Sequence, residues 1–166
     1  MENILYAAPM HDVGKIGIPD RILLKTGRLD EEEWEVMKKH TVIGAEILRG
    51  SDAEFIHRAE VIALTHHEEW DGSGYPRGLQ GTEIPLAGRI VAIADVFDAL
   101  TSKRPYKTPH SVDESLSTIM EKSGTHFDPD VVDAFFAVMD EILTTREKYR
   151  DGQTDKPEVP VVSGKT

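Results

Sequence analysis

Apolar residues recur three and four positions apart through most of the chain, and no stretch alternates apolar and polar over several residues. That periodicity predicts helices and no sheet. A short helical piece over 1–10 leads through Leu5 and Ala8 towards His11. Residues 13–29 hold Gly14, Gly17, Pro19 and Gly27, and are expected as loop around an apolar turn at Ile22-Leu23-Leu24. A helix is then expected from Asp30 to Leu48. Asp30 as N-cap and Glu33 make a capping box, and Leu29 can staple onto Trp34. Val36, Met37, Ile43, Gly44, Ile47 and Leu48 form its inward stripe, which also carries His40.

A second helix is expected over 54–68, with Ile56, Ala59, Ile62 and Ala63 on one face and His66-His67 at its end. Residues 69–85 contain four glycines and two prolines and read as a long loop, a length that in a compact domain is usually functional. A third helix over 86–103 carries Ile90, Ile93, Ala94, Phe97 and Leu100, with Asp95 and Asp98 on the neighbouring stripe, and Pro105 stops it. Ser111 and Glu114 cap a helix to 123, and Asp128-Pro129 open a last one to Arg150. The tail from Asp151 has little to bury and is expected to be disordered. The reading is one all-α domain over 1–150 with a tail over 151–166, and no internal repeat.

Charge and composition narrow the function. Lys+Arg 19 against Asp+Glu 30 leaves 19 − 30 = −11 over 166 residues. Open binding of duplex nucleic acid needs clustered basic residues to displace counterions, so it is not expected. An anionic substrate would have to be met locally. The chain has no cysteine, which excludes disulfides and thiolate metal sites. No apolar run reaches the ~18 residues of a membrane span, so no membrane partner is expected and the expected location is cytoplasmic.

Against that background one set of residues stands out: His11-Asp12, His40, His66-His67 and Asp95. Each alone has a plain structural explanation. A His-Asp pair is common, a histidine on an apolar stripe is often just core, and Asp95 could pair with Arg89 or Arg104. Together they form a set of imidazole and carboxylate donors, which suits Fe, Mn, Ni or Zn in a site with open positions. An Asp beside a His can bridge two ions, and ions roughly 3.5–4 Å apart clamp both oxygens of a phosphoryl displacement. The segment 67–76, His-Glu-Glu-Trp-Asp-Gly-Ser-Gly-Tyr-Pro, is the most particular local pattern. Lys15, Arg104 and Lys107 are the basic residues nearest these motifs, while His57, His110 and His126 are expected outside the site.

With these motifs, HDVGKIGIPD (11–20), LDEEEWEVMKKHTVIGAEIL (29–48), HHEEWDGSGYPRGLQGTEIP (66–85), RIVAIADVFDALTSKRPYK (89–107) and GTHFDP (124–129), the chain closely resembles the HD-GYP subfamily of the HD phosphohydrolases. The tandem histidine and Gly74-Tyr75-Pro76 carry the resemblance beyond the wider superfamily. It implies an HD-domain helical bundle with a Gly/Pro-rich GYP loop. It also implies hydrolysis of cyclic di-GMP to pGpG or GMP at two or three divalent ions, Fe or Mn. His11, Asp12, His40, His66, His67 and Asp95 would be the metal ligands, with Asp12 bridging and the ions activating water. Lys15 would hold the scissile phosphate, Tyr75, Arg104 and Lys107 would contact substrate, and Asp98 would orient a ligand or Lys15 from behind. GGDEF or sensor-domain proteins are the implied partners. The family pattern begins with one more helix ahead of the HD pair, bearing a further His. This sequence begins ten residues before His11, so an N-terminally shortened domain, prone to dimerise, is expected. The rival reading is a catalytically impaired module that binds cyclic dinucleotides or other proteins.

Overall fold

The computed structural model describes residues 2–102 and 109–150. Its helices are α1 (Glu2–Ala7), α2 (Asp20–Leu23), α3 (Glu31–Lys38), α4 (His40–Leu48), α5 (Glu54–Thr65), α6 (Leu86–Thr101), α7 (Val112–Glu121), α8 (Pro129–Ala137) and α9 (Met139–Arg150). Short 3-10 turns cover Ala8–Met10, Val13–Gly17 and Gly81–Glu83. Among the described residues the sole β feature is an isolated bridge between Ser123 and Phe127, so the all-α expectation holds. None of the described helices is long and apolar enough to cross a membrane.

The chain divides into two compact units, Met1–Asp133 and Ala134–Thr166. The first packs α4 and α1 on α5, α5 on α6, and α6 on α7. Its central cluster is rich in small residues, with Ala7, Ala59, Ala63 and Ala87 beside Leu48, Ile62 and Val91. Small side chains let helix backbones approach closely, and two glycines carry this to its limit. A Cβ on Gly88 of α6 would stand 2.3 Å from Thr65 Oγ1 of α5. A Cβ on Gly14 would stand 1.9 Å from the His40 carbonyl oxygen and 2.4 Å from the Gly44 nitrogen. The turn that follows His11-Asp12 therefore lies directly on the backbone of α4. In the second unit, the helix expected to run unbroken to Arg150 is divided at Val138, whose carbonyl accepts from both the Glu141 and Ile142 amides.

Both predicted capping boxes form. Asp30 and Glu33 exchange side-chain-to-amide bonds of 2.9 Å in each direction, and Ser111 and Glu114 do the same at 2.8 and 3.2 Å. The helix expected over 30–48 is two helices, broken at Lys39. The cause lies in the side chains that follow the break. His40 Nδ1 takes the Met37 carbonyl at 2.7 Å and Thr41 Oγ1 takes that of Lys38 at 3.0 Å. These side chains bond carbonyls of the last turn of α3, where the two helices meet. The Trp34 ring is set edge-on to Tyr75, 6.0 Å between centroids.

Candidate metal centre

Four elements deliver the side chains singled out in the sequence. His11 and Asp12 sit between two 3-10 turns, His40 begins α4, His66 caps α5 with His67 after it, and Asp95 lies midway along α6. Three of the imidazoles are anchored by one device. Nδ1 of His11, His40 and His66 meets the carbonyl three residues earlier, at 2.9, 2.7 and 3.0 Å. A carbonyl only accepts, so Nδ1 carries the proton and a neutral ring keeps a bare lone pair on Nε2.

Those lone pairs converge on Asp12. His40 Nε2 stands 3.4 Å and His66 Nε2 3.8 Å from Asp12 Oδ1. All three atoms are buried and without a hydrogen-bond partner. One such orphan costs about 1–3 kcal/mol, and three acceptors facing one another compound the cost. The donor chemistry explains the arrangement, because donors about 2.1 Å from a shared ion stand about 3–4 Å apart. Donor atoms of Asp12, His40, His66 and His67 lie within 4.8 Å of one another, so these four residues can hold one divalent cation. On the other side of the carboxylate, His11 Nε2 is 3.3 Å from Asp12 Oδ2 and 3.7 Å from Asp95 Oδ1. Lys15 pairs with the same Oδ2. Asp12 thus presents one oxygen to each of two donor groups.

Electrostatics divides the histidines into two kinds. Asp12 and then Asp95 push His11 up to about 10, its Nε2 lying 3.3 Å from one carboxylate and 3.7 Å from the other. Burial pushes His40 down, and burial with the neighbouring imidazoles takes His66 to about 4 and His67 to about 3. Burial raises Asp12, but the His11 and Lys15 hydrogen bonds outweigh it and hold the carboxyl well below the usual range. Asp95 is likewise held down, chiefly by the hydrogen bond with His11. At neutral pH three imidazoles and two carboxylates are ready to ligate, and one imidazole must first release its proton.

The 66–85 loop is built around the centre. Gly74 passes so close to the start of the loop that a Cβ would lie 2.2 Å from the Glu69 nitrogen. Glu68, 2% exposed, accepts the Arg77 and Leu79 amides at 2.8 and 2.9 Å. The far side is tied to the segment 124–128. The Trp70 and Asp71 amides donate to the His126 and Thr125 carbonyls at 3.1 and 2.8 Å, and His126 Nδ1 lies 3.3 Å from Glu69. Arg89, weighed above as a partner for Asp95, instead pairs with buried Asp128 and donates Nε to the Ile84 carbonyl at 2.9 Å. Sequence reading assigned Glu68 no such task, and no periodicity or spacing signals it. Glu68→Ala leaves two amides without an acceptor, at about 1–3 kcal/mol each. The expected result is a lower melting temperature and faster hydrogen exchange at the Arg77 and Leu79 amides, while protection in α7 is unchanged.

Of the residues expected in the site, the structure gathers His11, Asp12, Lys15, His40, His66, His67, Tyr75 and Asp95. Asp98 lies exposed one turn beyond Asp95 and accepts from Ser102 Oγ at 2.9 Å. Arg104 and Lys107 fall outside the described residues.

The family model described as HD domain matches residues 2–131. A cyclic di-GMP phosphodiesterase of Thermotoga maritima is 53% identical over 152 residues, covering 92% of this chain and 41% of that protein. A 3'3'-cGAMP-specific phosphodiesterase 2 of Vibrio cholerae is 50% identical over 150 residues, covering 90% and 29%. This chain thus spans well under half the length of either relative. A crystal structure of a cyclic GMP-AMP-specific phosphodiesterase from V. cholerae matches with a TM-score of 0.62 at 20% identity, over 90% of this chain and 41% of that one.

Proposed function

The chain belongs to the HD domain family, of the HD-GYP type its motifs resemble, and on that premise we propose that it is a metal-dependent phosphodiesterase acting on cyclic di-GMP in the cytoplasm. The observation that carries the reading is the convergence of buried, unpartnered donor atoms on the two faces of Asp12. In this reading Asp12 would be held in common by two divalent ions, Fe or Mn. His40, His66 and His67 would serve one ion, and His11 and Asp95 the other. The ions supply Lewis acidity to phosphoryl oxygens and an activated water.

The chain's own residues do the rest. The carbonyls of Ala8, Met37 and Ala63 hold three imidazoles in a fixed tautomer, so the centre is assembled before substrate arrives. Lys15 stands beside Asp12 with its side chain 39% exposed, where its ammonium can receive an oxygen of an incoming phosphate and stabilise charge developing on it. Arg104 and Lys107 are proposed from the resemblance as further contacts to the dinucleotide. The acidic surface makes such local cations necessary for an anionic substrate.

The test is incubation with cyclic di-GMP and Mn²⁺ or Fe²⁺ under reducing conditions, with products separated by chromatography. Appearance of pGpG or GMP is expected. A folded, metal-loaded chain that yields neither would overturn the reading in favour of a binding module. Because a relative at 50% identity is named for 3'3'-cGAMP, that dinucleotide belongs in the same assay, and faster turnover of it would reassign the substrate.

A pH dependence follows from His11. Its ring holds a proton to about pH 10, so at lower pH a cation must displace that proton. Metal affinity is expected to rise with pH, by up to about tenfold per unit across neutral pH. Calorimetry in buffers of different ionisation heat should show about one proton released. An affinity flat between pH 6 and 8 would exclude His11 as a ligand.

A further inference from the structure

The four imidazoles of the centre are not held alike. Backbone carbonyls fix His11, His40 and His66 through Nδ1. Among the described residues no carbonyl does this for His67. Its ring instead lies against Tyr75, with centroids 4.8 Å apart and planes at 25°. His67 also meets His66, with centroids 4.1 Å apart. The Tyr75 amide donates to the His67 carbonyl at 3.0 Å, so the two backbones are paired across the loop and the rings face each other. Trp34 closes on Tyr75 edge-on at 6.0 Å, and the Lys38 ammonium sits 5.8 Å over the Tyr75 ring.

We propose that Tyr75 is a positioning residue whose ring, rather than its hydroxyl, orients the His67 imidazole towards the divalent cation, with Trp34 as its backing. The proposal rests on the reading of this cluster as a metal centre. An imidazole turns about a broad, nearly two-fold torsion, and a half-turn exchanges which nitrogen faces the ion. A hydrogen bond to a carbonyl selects one orientation for its three neighbours. For His67 the stack fixes the ring plane, and the crowd of His40, His66 and Tyr75 rings leaves it little room to turn. That is a different task from contact with substrate, and it gives the Gly74-Tyr75 turn a reason to run close against His67 and Glu68.

The experiment is Mn²⁺ titration calorimetry on the metal-free chain, with Tyr75→Phe, Tyr75→Leu and Trp34→Leu variants whose folding is checked by circular dichroism. Loss of a partner that orients a metal ligand costs about 10–100-fold in metal affinity. Tyr75→Leu is expected to show that loss, Trp34→Leu a smaller one, and Tyr75→Phe to stay within about twofold of the parent. In parallel, ¹⁵N correlation spectra of the metal-free histidine rings should show the His67 signals broadened by exchange between ring orientations in Tyr75→Leu while those of His40 and His66 stay sharp. A Phe variant as weak as the Leu variant assigns the work to the hydroxyl and overturns the proposal. So does a Leu variant with parental affinity and an unchanged His67 ring. Failure of the parent to bind Mn²⁺ would overturn the metal reading itself, and the metal-free spectra would still decide whether Tyr75 orients the ring.

Discussion

On the proposed function, Asp12→Asn is expected to abolish turnover of cyclic di-GMP, a loss of at least about a thousandfold. The two carboxylate oxygens serve different neighbours, Oδ1 facing His40 and His66 and Oδ2 facing His11 and Lys15. Amide for carboxylate preserves the shape but removes the charge by which Asp12 would hold two cations in the proposed centre. Metal-ion stabilisation of a phosphoryl transition state is worth several kcal/mol, which is about three orders of magnitude in rate. The fold should survive, because Asp12 lies at the rim of the helical core and contributes no apolar packing. Turnover, bound metal and melting temperature should therefore be measured on one preparation. Activity within tenfold of the parent, with a full metal complement, would sink the assignment of Asp12 as the bridge.

The second large effect is on architecture. Gly14→Ala should lower stability by about 3 kcal/mol or more, near the top of the range for overpacking, and the melting temperature by roughly 6–12 °C. The new methyl would meet backbone atoms of His40 and Gly44 at 1.9 and 2.4 Å, and backbone cannot rotate aside as a side chain can. Either the turn, which follows His11-Asp12, or α4, which begins at His40, must move, so the affinity of the proposed metal centre should fall with stability. Gly27 provides the control. A Cβ there meets nothing within 4 Å, and Gly27→Ala should change stability by less than about 0.5 kcal/mol. A Gly14→Ala melt matching that of Gly27→Ala would show that the close approach has no energetic weight.

The helical class, the two capping boxes and the donor set were legible in the sequence because each is a local pattern. Asp30 with Glu33, or His66 beside His67, needs nothing from the rest of the chain to be recognised. The break at Lys39 was not legible. Apolar spacing runs through it unchanged, and what divides the helix is the demand of His40 and Thr41 for carbonyls one turn back. The contacts of Glu68 and Tyr75 were hidden for another reason. A buried carboxylate satisfied by two loop amides looks, in one dimension, like any surface glutamate. A tyrosine whose ring lies against a histidine looks, in one dimension, like any other tyrosine. Such roles depend on which surfaces the loop brings together, and neither periodicity nor composition encodes that.

The ties from the 66–85 loop to residues 124–128 bear on how this centre could be transplanted. The amides of Trp70 and Asp71 find their acceptors at His126 and Thr125, and Arg89 reaches across 39 positions to Asp128. A chimera that moved only the loop into another helical scaffold would arrive with unanswered amides and an unpaired arginine. The exchangeable cassette is therefore discontinuous, made of the loop with the first turn of α6 and the turn before α8. For the same reason the loop cannot reach its final form on the ribosome until the chain has been made past Asp128.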